Sequence, residues 1–349
     1  MDILYFSSRG IHSSLHLKFL TMGIIYTILE QINGFFGMTG LLEIIKTGNY
    51  QSLLTYQGIT SALQPLLPLV LVLELVRGLL YRKFNVINYK IPLFSYILNA
   101  ILGRYLSIGM AIIMIGLFEK YAILHISFTW YWFVYGYIIW EFSHFIYHFL
   151  GHKVRLFWCL HSTHHAPESM NLSISYSHFF LEGPYADIIR TSICILAGVP
   201  PPMLFVIMFV DGFWGSFIHI GDTVIKDARL GFIGKLILTP SHHRVHHAKN
   251  PMYMDTNYCN LLNIWDKVFK TYQLEIKEIP VEYGITRTVK PNHFLDAYFG
   301  EFIELGKDIY HAPGIINKIL YLFMPPGWSH TGDHKTAKVM REKFLASQK

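Results

Sequence analysis

The chain has 349 residues and a formal net charge of +6, and 52% of its residues are hydrophobic while only 15% are charged. A soluble domain usually has about a quarter of its residues charged, so this composition argues against a soluble enzyme and predicts a chain embedded in a bilayer. No basic run is dense enough for nucleic-acid binding. The three cysteines lack CxxC spacing, which argues against a disulfide framework.

Four or five segments are apolar enough to cross a bilayer, which takes about 20 mostly apolar residues. An earlier stretch, residues 20–45, is interrupted by polar side chains, so it either lies on the membrane or spans it. Two of the later segments are short and flank the prolines at 200–202, where they are expected to turn as a hairpin. The predicted spans are residues 59–80, 97–118, 122–146, 186–199 and 201–219.

The distribution of basic residues predicts how the spans are oriented. Loop 81–96 contains Arg82, Lys83 and Lys90, and 17 of the 29 lysines and arginines lie after Gly221. The positive-inside rule places both regions on the cytoplasmic face. If the second and third spans go out and back, every histidine cluster also lies on that face.

Beyond residue 221 the chain is more polar. The sequence PSHHRVHH predicts a helix that begins after Pro240 with Ser241 as its cap. Residues 256–272 alternate aromatic and aliphatic side chains and are expected to pack as a lid over the site. Residues 314–324 are amphipathic enough to lie on the membrane surface.

Histidines are the most informative feature, because 12 of the 19 lie between residues 144 and 247. Residues i, i+3 and i+4 share one face of a helix, so an HxxHH motif is expected to offer three imidazoles to one point. The sequence contains two such motifs and a ladder at four-residue spacing. Their members are His161, His164 and His165; His243, His246 and His247; and the ladder His144, His148 and His152.

This crowding predicts a site for two metal ions. A structural zinc takes about four ligands, whereas eight or more strong candidates are present, and imidazole suits iron, zinc, copper or nickel. Neutral imidazoles do not offset the metal charge, so Glu168, Asp222 and Asp255 are expected to do so while holding ring N–H groups. A pH-sensing cluster would not need two copies of one spacing. Isolated histidines, such as His125, are predicted to be structural.

The motifs resemble the fatty acid hydroxylase/sterol desaturase superfamily of membrane di-iron enzymes, whose pattern is HxxxH, HxxHH and a distant HxxHH. The nine-residue separation from His152 to His161 matches that family and selects His148 and His152 rather than His144. The family also has a histidine on a helix hairpin, which His219 matches. The resemblance implies nine ligands for two iron ions: His148, His152, His161, His164, His165, His219, His243, His246 and His247.

Within this superfamily the chain resembles the alkylglycerol monooxygenase branch over residues from about 60 to 330, notably in FWCLHSTHHAPESMNLS and LTPSHHRVHHAKN. Animal members continue into further C-terminal membrane helices. His178 stands where that branch has glutamine and is either a tenth ligand or a pocket residue. Lys153 replaces a glutamate that bears on pterin use, so the external reductant, tetrahydrobiopterin or another donor, stays open.

Further residues are expected around the nine histidines, either as ligands or as partners of the ring N–H groups. They are His178, His242, His144, Glu168, Asn171, Asp222, Asp255 and Asn257.

Together these features predict an all-α, polytopic membrane protein with four to five transmembrane helices and a cytoplasmic, helical, histidine-rich di-metal cap. Residues 1–58 would form an N-terminal segment, for which membrane association is left open. Residues 59–275 would form the catalytic domain, and residues 276–349 a cytoplasmic extension with an amphipathic segment. The host membrane would be the inner membrane of a bacterium or the endoplasmic reticulum of a eukaryote.

The family resemblance implies O2-dependent hydroxylation of a lipid C–H bond. In the monooxygenase branch the hydroxylated carbon adjoins an ether oxygen, and the hemiacetal falls apart to a fatty aldehyde and a glycerol derivative. The enzymatic alternative is a desaturase or hydroxylase of a sterol, carotenoid or acyl lipid. A metal transporter is a remote alternative, because its polar residues would lie at mid-membrane depth rather than at one face.

Overall fold

The structure is a computed structural model that describes residues 23, 25–34, 36–82, 84–290 and 293–348. Within those residues it is helical, with no β-strand and only two isolated bridges, Ile237 with Leu262 and Ala248 with Tyr283. The prediction of an all-α chain is therefore confirmed. Residues 1–22 of the predicted N-terminal segment lie outside the described residues, and so does Lys83 of the basic loop.

The chain divides into a first unit that ends at Leu73 and a second unit, Glu74–Lys349. The first helices are α1 (25–34), α2 (Met38–Thr47), α3 (Tyr56–Leu63) and α4 (Leu66–Leu80). The second unit continues with α5 (Ile87–Leu98), α6 (Arg104–Phe118), α7 (Trp130–Lys153), α8 (Arg155–His165), α9 (Glu182–Leu196), α10 (Pro201–Phe217), α11 (Pro240–His246), α12 (Ile264–Val268), α13 (Phe294–His311), α14 (Gly314–Phe323) and α15 (Ala337–Ser347). A π-helical turn, Asn99–Gly103, joins α5 to α6.

Two helical stretches of the described chain are long and apolar enough to cross a membrane, Gln57–Leu80 and Ile87–Tyr121. Only 12% and 17% of their most apolar windows are buried, so neither is the core helix of a soluble domain. Large side chains along the second stretch point outwards, including Ile101 and Ile112. Apolar surface of this extent indicates association with lipid.

The other predicted spans correspond to α7, α9 and α10. These helices are not among those that are both long and apolar enough to cross a membrane by themselves. Helix α7 begins at Trp130 rather than at residue 122, because Thr129 is extended. Helices α9 and α10 have 15 and 17 residues and are separated by a turn at the predicted prolines. In that turn Gly198 has φ +89°, and a Cβ there would lie 2.1 Å from the Leu124 carbonyl oxygen.

A buried apolar cluster joins α7, α9 and α10, so these helices form the scaffold beneath the histidines. It includes Tyr137 and Trp140 of α7, Cys194 of α9, and Met203 and Ile207 of α10. Burial of such side chains is the main stabilising contribution to the scaffold. The predicted spans at α7, α9 and α10 therefore share one apolar core, and α9 also packs closely against α6.

The C-terminal helices pack against α8, which carries the first HxxHH motif. Cys159 of α8 shares an apolar cluster with Leu305 of α13 and Tyr321 of α14. Arg155 pairs with Glu301 of α13 at the edge of this contact. Helices α13 and α14 thus pack on the helix that carries the first HxxHH motif.

Helix α11 carries the second HxxHH motif, and its cap differs from the prediction. Thr239 is the cap, in a capping box with His242, and Pro240 occupies the first helical position. Proline suits that position because its missing N–H would have no intrahelical partner. Ser241 instead donates a hydrogen bond to Glu275 at 2.6 Å. The prediction of a Ser241 cap is therefore wrong.

Candidate metal centre

Nine buried histidines, which lie in or next to α7, α8, α10 and α11, converge on one region of the protein. They form two groups, and within each group the ring nitrogens that could serve as ligands all lie within 4.8 Å of one another. We call them the five-histidine group, composed of His148, His152, His161, His165 and His246, and the four-histidine group, composed of His164, His219, His243 and His247. The structure thus brings together all nine histidines that the sequence singled out.

Each HxxHH motif divides between the two groups, which corrects the expectation that its three imidazoles share one point. His161 and His165 belong to the five-histidine group, whereas His164 belongs to the other. In α11 the pair His243 and His247 joins the four-histidine group. A helix turns by about 100° per residue, so positions i and i+4 nearly coincide in direction while i+3 and i+4 diverge.

Distances between ring nitrogens fit direct ligation of a metal. His219 Nε2 lies 3.1 Å from His164 Nε2 and 2.9 Å from His243 Nε2. In the five-histidine group, His161 Nε2 lies 3.1 Å from His148 Nε2. Two imidazoles at right angles around an ion, each bound at about 2.1 Å, place their nitrogens about 3.0 Å apart. The donor set therefore fits metal ions held entirely by imidazole.

The loop before α12 orients two ligands of the five-histidine group. His148 Nδ1 donates to the carbonyl oxygen of Tyr258 at 2.8 Å, and His246 Nδ1 donates to that of Thr256 at 2.8 Å. A carbonyl only accepts, so each Nδ1 carries the hydrogen and each Nε2 lone pair is free for a metal. His246 Nε2 is buried and has no protein partner. The segment expected to be a lid thus fixes ligand orientation through its backbone.

The four-histidine group has fewer such anchors. His219 Nδ1 donates to the Gly215 carbonyl oxygen at 2.6 Å. The Nδ1 atoms of His164 and His243 are buried and have no hydrogen-bond partner in the described chain. Their ring orientations therefore depend on packing rather than on hydrogen bonds.

Glu182 is a buried carboxylate that the sequence reasoning missed. Its two oxygens accept from His161 Nδ1 at 2.6 Å and from His178 Nδ1 at 2.9 Å, and Tyr147 also donates to it at 2.8 Å. Burial alone would raise the pKa of Glu182, but His178 and His161 hold it well below its usual range. Glu182 is the first residue of α9 and belongs to no histidine motif, so only its position in the fold reveals its role.

Asp255 is the one of the three predicted acids that faces a ligand ring. Its carboxylate lies 3.6 Å from His152 Nδ1 and pairs with Lys153. Burial would raise the pKa of Asp255, but His152 and Lys153 lower it below its usual range. Glu168 and Asp222 are exposed, so the expectation that they offset the metal charge from beside the rings is wrong.

Both predicted asparagines stabilise backbone rather than contact ligand rings. Asn171 caps the short helix Leu172–Tyr176 by accepting from Ser173 N. Asn257 donates to the His242 carbonyl oxygen at 3.0 Å and holds the loop that carries Thr256 and Tyr258. Their contribution to the site is therefore indirect.

The three additional histidines stand outside both groups. His178 stacks on His164 with ring centroids 4.3 Å apart while it donates to Glu182. His144 lies 3.6 Å from Asp211, one turn before His148. His242 completes the α11 cap and contacts the Tyr272 hydroxyl at 2.8 Å. None of the three belongs to a histidine group.

The clustered histidines are held in their neutral, metal-binding form. Burial, with the repulsion of the neighbouring His161 ring, lowers the pKa of His152 to about 4. Burial also lowers the pKa values of His164 and His247 well below the usual range. Neutral imidazole is the form that ligates metals, so this environment favours metal binding at neutral pH.

Two cavities reach the histidines. The first, of about 430 Å³, extends from rings of both groups, including His148 and His164, to residues of α5 and α6 such as Tyr96 and Ser107. We call it the helix-side cavity. The second, of about 530 Å³, borders three rings of the five-histidine group. Most of its remaining lining comes from residues 284–340, so we call it the C-terminal cavity.

Comparison with known proteins agrees with this donor set. A family model described as "Fatty acid hydroxylase" matches residues 133–271, a range that contains all nine histidines. The matched range is also the part of the chain that contains the predicted HxxxH and HxxHH motifs. No solved structure matches the chain.

The chain is also similar to three curated proteins. It is 29% identical to alkylglycerol monooxygenase of Homo sapiens over 61% of this chain and 46% of that protein. It is 30% identical to alkylglycerol monooxygenase of Caenorhabditis elegans, over 65% and 45% respectively. It is 28% identical to an ornithine lipid hydroxylase of Rhizobium tropici, over 45% and 46%. The chain thus spans somewhat under half the length of these relatives, and their names agree with an oxidoreductase of the fatty acid hydroxylase type.

Proposed function

We propose that this protein is a membrane oxygenase that holds two iron ions in its histidine groups and hydroxylates a lipid C–H bond at the expense of O2. The observation that carries the proposal is the pair of buried histidine groups, five and four rings, inside the fatty acid hydroxylase domain. The finer proposal is that the lipid is an alkylglycerol, since the relatives that align with 61% and 65% of this chain are alkylglycerol monooxygenases.

Bound iron would supply the activation of O2 and the removal of a hydrogen atom from an unactivated carbon. The remaining steps belong to the protein. Glu182, Asp255 and the loop carbonyls keep ring N–H groups turned away from the metal positions. In an alkylglycerol, hydroxylation next to the ether oxygen gives a hemiacetal, which separates into a fatty aldehyde and glycerol.

Access to the site follows from the two cavities. A lipid would enter the helix-side cavity past α5 and α6, whose outer faces are apolar and exposed. The reaction consumes two electrons for each O2, so an external reductant must also reach the metals. The C-terminal cavity borders the five-histidine group and offers that reductant a separate route.

In this proposal the chain crosses the membrane several times and keeps the histidines on the cytoplasmic face. Gln57–Leu80 and Ile87–Tyr121 are the first two spans. The predicted spans in α7, α9 and α10 are the others, and the exposed Ile315, Ile316 and Phe323 of α14 rest on the membrane surface.

The direct test uses the full-length protein purified with iron and supplied with O2, a reductant and a 1-O-alkylglycerol. Release of a fatty aldehyde, lost in His161→Ala, supports ether cleavage. Lipid analysis of a deletion strain provides a second measurement, in which alkylglycerols accumulate. An unchanged ether-lipid pool together with no aldehyde from the purified protein would refute the alkylglycerol assignment.

A second candidate is hydroxylation of an acyl lipid without ether cleavage, which the similarity to an ornithine lipid hydroxylase favours. Sterol or carotenoid desaturation would use the same donor set. Hydroxylated acyl chains, or new double bonds, in the lipids of an expressing strain would identify these reactions. Metal flux into liposomes without O2 consumption would instead indicate a transporter.

A further inference from the structure

Two buried carboxylates hold the loop between α11 and α12 by accepting from five successive backbone N–H groups. Asp266 of α12 accepts from Tyr258 N at 2.8 Å and from Cys259 N at 2.9 Å. Glu141 of α7 accepts from the next three, those of residues 260–262, at 3.2, 2.6 and 2.9 Å. Both carboxylates are fully buried, and hydrogen bonds to such groups are strong in a low-dielectric interior.

A single peptide unit connects Asp266 to one of the candidate metal ligands. The Cys259 N–H, which donates to Asp266 Oδ2, and the Tyr258 carbonyl belong to the same planar peptide. That carbonyl accepts from His148 Nδ1 at 2.8 Å. The contacts therefore run without a break from a carboxylate, through one peptide, to an imidazole of the five-histidine group.

The charge of Asp266 determines what this connection does. The Thr271 hydroxyl donates to Asp266 Oδ1 at 2.6 Å, beside the two backbone donors, and a carboxylate that only accepts is the ionised form. Negative charge at the N–H end of a peptide makes its carbonyl a stronger acceptor, because hydrogen bonds in a chain polarise one another. A stronger acceptor at His148 Nδ1 raises the basicity of Nε2, the nitrogen that faces the metal position.

The second ligand held by this loop provides an internal comparison. His246 Nδ1 donates to the Thr256 carbonyl oxygen at 2.8 Å. The N–H of that peptide, from Asn257, donates to the Thr271 carbonyl oxygen at 2.9 Å. This chain of contacts ends on a neutral carbonyl, whereas the one from His148 ends on a carboxylate.

We infer that Asp266 is a positioning residue that strengthens His148 as a metal ligand through the Tyr258–Cys259 peptide and so favours the more oxidised state of the bound metal. The inference rests on the proposed function, because it takes His148 to bind iron. It gives a role to a residue that belongs to no histidine motif and whose hydrogen bonds go to the loop rather than to a ligand ring.

The test uses Co²⁺ as the probe and needs no turnover. Metal-free, full-length protein in lipid nanodiscs is titrated with Co²⁺, and visible absorption reports binding. Asp266→Asn keeps the shape of the side chain and removes its charge, so one of the two Co²⁺ ions should bind about 10-fold more weakly. In a His148→Ala background the same change should have little further effect, whereas in a His246→Ala background it should keep its full effect.

The matched control is Glu141→Gln, which changes the other carboxylate on the same loop. None of its three N–H partners belongs to a peptide whose carbonyl accepts from a histidine in the described chain. Both Co²⁺ affinities should therefore stay within about twofold of the parent values. Equal weakening by Glu141→Gln, or an undiminished effect of Asp266→Asn in the His148→Ala background, would indicate general damage to the loop and would overturn the inference.

The midpoint potential of the iron-loaded protein is the second measurement. Loss of the charge should weaken Fe³⁺ binding more than Fe²⁺ binding, and a tenfold difference raises the potential by about 59 mV. If Asp266→Asn does not fold, Thr271→Val decides, because it keeps the carboxylate and removes a donor that competes with the peptide. Its potential should be lower than that of the parent protein, and an unchanged or higher potential would overturn the inference.

Failure of the inference and failure of the proposed function give different results. Protein that binds metal with the expected coupling between Asp266 and His148 but oxidises no lipid would refute the proposed function alone. Lipid oxidation with equal Co²⁺ affinities in Asp266→Asn and the parent would refute the inference alone. Protein that binds neither Co²⁺ nor iron would refute both.

Discussion

The two histidine groups differ in how their rings are held. In the five-histidine group, His148 and His246 are tied to backbone carbonyls and His161 to the Glu182 carboxylate. In the four-histidine group only His219 has such an anchor, while the Nδ1 atoms of His164 and His243 have no partner in the described chain. The difference indicates one rigidly oriented metal position and one that is less constrained.

The cavities show the same asymmetry. The C-terminal cavity touches only the five-histidine group, through His152, His165 and His246. The helix-side cavity borders rings of both groups, and the four-histidine rings His164, His219 and His243 are among them. A rigid position fits electron entry from the C-terminal side, and a less constrained one fits the side where a lipid must enter and leave.

The largest effect is expected from removing ligands. His219→Ala leaves three rings in its group, so iron should fall from about two ions per chain to about one, whereas His161→Ala leaves four rings and should retain more iron. Both variants should lose activity by more than about 100-fold, since even loss of a group behind a ligand costs 10- to 100-fold. Iron analysis and product assays check this. His125→Ala, at an exposed position, is the control. Equal iron loss in His219→Ala and His161→Ala would contradict a difference between the two histidine groups.

A second, smaller effect is expected at Glu182. Glu182→Gln keeps the shape but weakens the hydrogen bond from His161, so affinity for the five-histidine metal should fall about 10- to 100-fold. Metal titration of the apo protein measures this, and Glu182→Asp should recover part of the loss. Glu278→Gln, at an exposed position, is the matched control. A change of less than about twofold would show that the anchor is not what distinguishes the groups.

Acid should lower the folding stability of the metal-free protein through histidines of both groups. Burial lowers the pKa of His152 to about 4 and that of His247 well below its usual range, whereas an unfolded histidine titrates near 6.5. The unfolded chain therefore binds more protons below pH 6.5, so stability present above that pH is lost as pH falls towards 4. The thermal midpoint should be lower at pH 5.5 than at pH 7.5. His152→Gln should show a shallower dependence, and a flat profile in the parent protein would contradict the pKa shifts.

The smallest effect on metal content is expected at His178, which stacks on His164 without joining either group. His178→Phe preserves the stacking, so iron content should stay near that of the parent protein, while activity falls by less than about 10-fold. Iron analysis beside the product assay decides this. Loss of a full iron equivalent would show that His178 is a tenth ligand. The four-histidine group would then have five ligands, as the other group has.

Much of the site could be predicted because its ligands are local in sequence. The motif spacing and the nine-residue step from His152 to His161 single out histidines that the fold does bring together. Glu182 could not be found in this way, because no motif spacing connects it to His161, 21 residues earlier. Closeness in sequence to the motifs favours Glu168 and Asp222 as well, but both side chains are exposed in the fold.

The sequence by itself determined that the chain is helical and apolar, and which histidines could meet. It did so because helical periodicity and hydrophobicity are local properties of the residues. Only the tertiary structure decided that each HxxHH motif divides between two groups. The way in which α8 faces α11 places His164 with His243 and His247, and His165 with His246. The same holds for Glu182, because only the tertiary fold brings its carboxylate to His161 and Tyr147.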